Sequence, residues 1–243
     1  MSTIQATANP GGRQRNETWA AVDAYTLQRV HPPSKTNHQA LQHALSNSRA
    51  KGLPNIGTAP TMAKMYALQC KANKTRHALE LGTLGGYTSI WLASENPDLH
   101  VTTIEINPHH AAVARENVAQ APAGVEARVD IRLGAGLDIL PVLRREIEAG
   151  EKERLGFVYI DADKENNWNY VDLVIPLCEK GAVIYVDNIA QNGKLVDPER
   201  QDEMTLGARK VVEMAGKDER IDAVVFQFVG EKGYDGMLMA VVR

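Results

Sequence analysis

Five short β-rich runs recur through the middle of the chain, and each is followed by a segment whose apolar residues return at helical spacing. The runs are HALELG (His77 to Gly82), VTTIEI (Val101 to Ile106), VDIRLG (Val129 to Gly134), FVYID (Phe157 to Asp161) and AVIYVD (Ala182 to Asp187). The helical segments lie at Tyr87 to Ser94, His109 to Ala119, Leu137 to Ala149 and Trp168 to Lys180. Strands alternating with helices in this way predict βαβ units, and so an α/β fold with a doubly wound, mostly parallel sheet covered on both faces. Two further runs, AVVFQFV (Ala223 to Val229) and MLMAVV (Met237 to Val242), flank the turn-rich stretch Gly230 to Gly236 and predict an antiparallel hairpin at the end of the sheet.

Ahead of this rhythm stand extra N-terminal elements. Residues 1–17 are polar, contain Pro10-Gly11-Gly12 and show no period, which predicts a mobile tail before a single domain at 18–243. Trp19 to Val30 and Asn37 to Ala50 read as helices separated by Pro32-Pro33, Gly52 to Pro60 as a loop, and TMAKMYALQC as a third helix. The 243 residues, 44% of them hydrophobic, suffice for the core of one such domain.

Charge and cysteine content narrow the partners. With 27 basic and 30 acidic residues the formal charge is -3, without the basic excess that nucleic-acid binding needs. No apolar run approaches the roughly 20 residues of a membrane span, and the start MSTIQATANPGGRQRNE has no apolar signal core. These features predict a cytoplasmic protein with a small-molecule partner, no nucleic acid and no membrane. Cys70 and Cys178 match no zinc or redox spacing and are expected to be buried, reduced thiols.

The turn after the first strand reads ELGTLGGYTS, Glu80 to Ser89. Glycines at a strand-to-helix turn let backbone approach a ligand and leave the helix N-terminus facing it. Glycines at 82, 85 and 86 do not fit the dinucleotide pattern G-x-G-x-x-G, and a plain tight turn also accounts for them. Glu105 closes the second strand, where a doubly wound sheet offers a carboxylate to two ribose hydroxyls. Both features fit S-adenosylmethionine and NAD alike. Glu80 separates them: a charge two residues before Gly82 opposes phosphates, whereas it favours the ammonium and sulfonium of S-adenosylmethionine.

A second acidic cluster lies in FVYIDADKENNWNY and AVIYVDNIA. Asp161 ends the fourth strand and Asp187 with Asn188 ends the fifth, so neighbouring parallel strands bring them to one edge beside the cofactor crevice. Two carboxylates and an amide oxygen form a hard donor set suited to Mg, Ca or Mn. Each aspartate alone also fits a helix cap or a solvated strand end, and Lys164 alone fits a surface partner of Asp161 or Glu165. Trp168 reads as the first apolar residue of its helix, with a substrate-side aromatic as the alternative.

With these residues the chain resembles the cation-dependent O-methyltransferases that use S-adenosylmethionine, the group of catechol and caffeoyl-coenzyme A O-methyltransferases. ALELGTLGGYTSIWLA, TTIEINP, YIDADKENNWNY, VIYVDNI and GYDGMLMAVV carry the resemblance, across about Gly52 to Arg243. It implies a Rossmann-like class I methyltransferase sheet of seven strands, whose closing hairpin inserts one antiparallel strand, and a homodimer. It implies metal ligands at Asp161, Asp187 and Asn188, and catalytic roles for Lys164, as general base, and Asp161. The implied cofactor-binding positions are Ile56, Thr58, Glu80, Gly82, Gly86, Thr88, Ser89, Glu105, Ala135, Asp161 and Asp163. TAPTMAK departs from the family's small-polar-then-Gln-Gly signature before the first strand, with Met62 and Ala63 in those places, which leaves open the groups at 56–61 that touch the methionine end. The expected activity is methyl transfer to a hydroxyl of a catechol-type or other chelating small molecule. The rivals are an NAD-dependent oxidoreductase on the same sheet and a binding protein without turnover.

Overall fold

In the computed structural model, which describes residues 7–8 and 14–243, the five expected strands form in order. They are β1 (His77–Leu81), β2 (His100–Glu105), β3 (Val129–Leu133), β4 (Leu155–Ile160) and β5 (Cys178–Val186). β6 (Ile221–Gly230) and β7 (Gly233–Val242) follow as the hairpin. The strands make one seven-stranded sheet in the order β3-β2-β1-β4-β5-β7-β6. The first five run parallel, and β7 inserts antiparallel between β5 and β6. The chain therefore builds outward from β1 in one direction, returns, and builds outward from β4 in the other. That reversal opens a crevice at the C-terminal ends of β1 and β4, where open α/β sheets take their ligands.

Both faces of the sheet are covered, and the period-2 alternation of strand side chains divides the core accordingly. On β4, Val158 and Ile160 join Leu79, Leu81, Ile184, Val186 and Leu238 under the later helices, whereas Phe157 and Tyr159 join Ala78, Val183, Tyr185 and Met237 on the opposite face. The helices are α1 (Glu17–Val30), α2 (His38–Ala50), α3 (Pro60–Asn73), α4 (Tyr87–Glu95), α5 (Pro108–Ala119), α6 (Gly136–Glu148), α7 (Asn167–Val174) and α8 (Glu203–Ala215). Their starts follow local chemistry. Asn16, Asn107 and Asp202 each accept backbone N–H groups of the first turn of α1, α5 and α8, and Pro60 and Pro108 occupy first-turn positions that need no donor.

Residues 1–6 and 9–13, most of the expected tail, lie outside the described residues. Thr7–Ala8 pairs antiparallel with Gln14–Arg15, and α1 begins at Glu17. Two expectations need correction. The helix expected from Trp168 to Lys180 ends at Val174; Ile175–Leu177 is a 3₁₀ turn and Cys178 already belongs to β5. Pro176 supplies no N–H to continue the helix, and Cys178 instead pairs with Leu155. The hairpin turn is also shorter than the stretch Gly230 to Gly236, because Gly230 already pairs with Gly233 and Tyr234 to Gly236 lie within β7. Trp168 packs in the core from α7, and both cysteines are free and buried.

Candidate functional site

The turn after β1 depends on two glycines. Gly82 has φ +99°, and a Cβ there would lie 2.3 Å from the Asp161 carbonyl oxygen, so glycine is what lets the ends of β1 and β4 touch. Gly86, at φ +74°, stands at the start of α4, where no side chain caps the first N–H groups. An anionic or polar ligand can take those donors. Between the glycines, Leu84 donates its N–H to Glu105 Oε2 at 2.8 Å, and Asn107 N–H donates to Glu105 Oε1 at 2.9 Å. The carboxylate at the end of β2 is thereby oriented from two sides and keeps lone pairs for further donors. Ala135 starts α6 with extended backbone and no side-chain cap, next to Gly134, whose N–H bonds the Glu105 carbonyl at 2.9 Å.

Glu80 lies beneath the loop and is only 1% exposed. Its Oε2 accepts the Ser89 hydroxyl at 2.5 Å and the Thr103 hydroxyl at 2.9 Å. Burial pushes its carboxyl up to about 7, against the opposing pull of these hydroxyl bonds. Thr88 and Ser89 are buried too. Glu80, Thr88 and Ser89 thus form a buried polar group beneath the glycine loop. On the other side of the crevice, Thr88 donates to Thr58 Oγ1 at 3.0 Å, and Thr58 lies 3.2 Å from the Tyr159 hydroxyl. Ile56, in the same loop, is 70% exposed.

The second cluster gathers as its strand ends require. Asp161 follows β4 and Asp187 follows the adjacent β5. The Tyr159 hydroxyl lies 3.0 Å from Asp161 Oδ2 and 3.3 Å from Asp187 Oδ2. A phenol has one proton to give, so it can satisfy one carboxylate at a time while both converge on it. Lys164, only 7% exposed, donates to Asp161 Oδ1 at 2.5 Å. It is thus a buried partner of the cluster rather than a surface lysine. Burial, and then the charge of Asp161, push the Asp187 carboxyl up to about 7. Asn188 has φ +60° and donates its Nδ2 to Asp235 Oδ2 at 3.0 Å. Asp163 spends its two oxygens within its own segment, accepting from the Tyr170 hydroxyl and the Asn166 amide.

Among the described residues no three His, Cys, Asp or Glu side chains gather as a metal site. The donors at hand are two carboxylates and one amide oxygen. They fit a hard divalent cation, because two converging, partly buried carboxylates repel each other and an ion between them would relieve that repulsion. Three contributors escaped the sequence reading. Tyr159 was legible in principle, since period 2 puts it on the same strand face as Asp161. Asp235, 3% exposed inside β7, lies in GYDGMLMAVV, a stretch that carries the family resemblance without assigning this residue a role, and Gly207, where a Cβ would lie 2.1 Å from the Lys164 carbonyl oxygen, carries no local signal.

Comparison with known proteins agrees with this architecture. A model of the O-methyltransferase family matches residues 32–241. The O-methyltransferase imqG of Aspergillus flavus is 48% identical over 231 residues, 94% of this chain and 93% of that protein. A catechol O-methyltransferase of Mycobacterium tuberculosis is 42% identical over 205 residues, 84% of this chain and 89% of that one. The solved O-methyltransferase from Bacillus cereus, in complex with SAH, has a TM-score of 0.83 at 37% identity, over 93% of this chain and 99% of that chain. The matched region holds the glycine loop, both aspartates and the closing hairpin, and on this evidence the chain belongs to the O-methyltransferase family.

Proposed function

We propose that the chain moves a methyl group from S-adenosylmethionine to a hydroxyl of a catechol-type or other chelating phenol, with a divalent cation (Mg, Ca or Mn) held by Asp161, Asp187 and Asn188. One observation carries the reading: Asp161 and Asp187 converge on a single Tyr159 hydroxyl at the mouth of the crevice, with Lys164 bonded to Asp161. The methyl donor is supported by the SAH bound to the Bacillus cereus relative, SAH being that donor without its methyl group. The catechol class is supported by the name of the Mycobacterium tuberculosis relative.

The residues divide the work. Glu105 accepts the ribose hydroxyls, the backbone of Gly82 and Gly86 admits the ligand closely, and the start of α4 faces its polar end. Glu80 favours a sulfonium and an ammonium over phosphates, which weighs against a dinucleotide. Ile56, Thr58 and Ala135 line the rim, and Asp163 steadies the turn from Asp161 to α7. A bound divalent cation supplies chelation of two adjacent substrate oxygens and a lowered hydroxyl pKa. Lys164 takes the hydroxyl proton on Nζ, where Asp161 is placed to hold the ammonium that results. The remaining demand is alignment of the oxygen with the methyl carbon for in-line displacement. The buried lysine on Asp161 favours turnover over cofactor binding alone.

We read residues 18–243 as one methyltransferase domain forming a cytoplasmic homodimer. The free thiols Cys70 and Cys178 support a reducing compartment, and exposed Val22, Tyr25 and Val30 on α1 support a partner subunit. No helix among the described residues is long and apolar enough to cross a membrane. The test is methyl release from labelled S-adenosylmethionine to a panel of catechols, with and without chelator. Asp187→Ala is expected to lower the chelator-sensitive rate by roughly a hundredfold or more while SAH affinity stays near that of the native chain. Loss of SAH binding with cation dependence intact would contradict the assignment.

A further inference from the structure

The segment that carries Asn188 is held in an unusual backbone conformation. Asn188, Gln191 and Asn192 all have left-handed φ, at 60°, 48° and 58°, although none is glycine. A left-handed backbone is unfavourable for residues with a Cβ, so the surroundings must hold the segment in place. Asp235 is the group that does so. Its Oδ1 accepts the N–H of Gln191 and of Gly236, both at 2.8 Å, and its Oδ2 accepts Nδ2 of Asn188 at 3.0 Å. Gln191 is tied on its far side as well: its Nε2 donates to the Met204 carbonyl at 3.0 Å, and its Oε1 accepts the Thr205 hydroxyl at 3.2 Å.

Asp235 thus uses one oxygen for backbone and the other for a side-chain amide. An asparagine amide has a donating end and an accepting end, and only the accepting end can ligate a cation. An ionised carboxylate can only accept, so it selects the NH2 end of Asn188 and leaves Oδ1 for the cation set. We infer that Asp235 is a positioning residue that fixes the orientation of the Asn188 amide, so that oxygen rather than NH2 faces the divalent cation. This inference rests on the cation reading given above.

The chemistry supplies a polarity swap as the test. Asp235→Asn keeps one oxygen for both backbone donors but turns an NH2 toward the NH2 of Asn188, which then presents its oxygen to the wrong side. Mn2+ is titrated into SAH-saturated protein by calorimetry, with electron paramagnetic resonance of free Mn2+ as a check. Asp235→Asn is expected to weaken Mn2+ binding by roughly 10- to 100-fold with SAH affinity unchanged. The double variant Asn188→Asp with Asp235→Asn restores the donor-acceptor match and is expected to bind Mn2+ within about threefold of the native chain. Native-like Mn2+ affinity in Asp235→Asn, or a folded double variant that binds no better than Asp235→Asn, overturns the inference. Should Asp235→Asn fail to fold, the double variant decides alone, by recovering native Mn2+ affinity or lacking it. A native chain that binds SAH but no Mn2+ overturns the cation reading itself, and the inference with it.

Discussion

At the scale of single residues, Glu80 shows how a ligand site can be bought with stability. Its carboxyl ionises near the ordinary 4.5 in the unfolded chain but near 7 in the folded one, because burial outweighs the bonds from Ser89 and Thr103. Below the lower value both states hold the proton and Glu80 does not alter stability. As the pH rises from there, the unfolded chain releases its proton first, so stability falls until the folded carboxyl ionises too. The accumulated loss amounts to roughly 3 kcal/mol. Glu80→Gln removes this slope, and its one amide oxygen can still accept both hydroxyls, which converge on a single oxygen in the native chain. Urea denaturation at several pH values between 4.5 and 8 is expected to show the variant gaining on the native chain as pH rises. Parallel curves would mean that Glu80 does not carry the linkage. The same variant is expected to bind SAH more weakly, since the charge that is costly in the empty crevice is the one that favours the ligand's ammonium.

At the scale of elements, α8 and the turn at Lys164–Asn166 meet through one missing side chain. A Cβ on Gly207 would lie 2.1 Å from the Lys164 carbonyl oxygen and 2.9 Å from the Glu165 Cα, both backbone atoms that cannot swing aside. Gly207→Ala is therefore expected to push α8 and the turn apart, at a cost of about 1–3 kcal/mol in thermal or chemical denaturation. Because the turn carries Lys164, kcat is expected to fall more than KM changes; an unaltered kcat would show that the lysine does not depend on this packing. This element-level contact also marks where sequence reading stops. The β-rich runs announce themselves because strands buried on both faces are apolar almost throughout, as in β4. Asp161, Asp187 and Asn188 were legible because a parallel sheet sends neighbouring strand ends to one edge. The extent of α7 was misjudged because Val174 to Cys178 is apolar in either conformation, and only pairing of Cys178 with Leu155 selects strand. Gly207 and Asp235 were illegible for a different reason: each matters through a partner in a distant part of the chain, Lys164 in one case and Asn188 in the other.

At the scale of the whole molecule, burial grades from the sheet outward. Every residue of β1 and β4 is buried, whereas α1 has none that is fully buried. Among the contacts that attach α1 is one polar anchor, the carboxylate of Asp23, which accepts the N–H of Glu231 at 2.8 Å at the tip of the closing hairpin. Local opening free energies follow such gradients, from small values in thinly packed elements to the global value in the core. Hydrogen exchange followed by mass spectrometry is accordingly expected to find amides of β1 and β4 slowest and, once dilution has separated the proposed subunits, those of α1 among the fastest. The site lies between these extremes, where the rigid strand ends of Asp161 and Asp187 meet the loops at 56–58 and 82–87. Saturation with SAH is expected to slow exchange at 80–90, because in the proposed site the ligand takes the donors at the start of α4 and the remaining lone pairs of Glu105, the carboxylate that also holds Leu84. Exchange in α1 then separates two roles for the N-terminal helices. If α1 only covers the hairpin, its rate is unchanged by SAH and by a chelating phenol; if it also borders the acceptor, the phenol slows it. Slow exchange in α1 at high concentration that dilution turns fast is the outcome expected if a second subunit covers its exposed Val22 and Tyr25, and exchange equally fast at every concentration would count against a dimer through this helix.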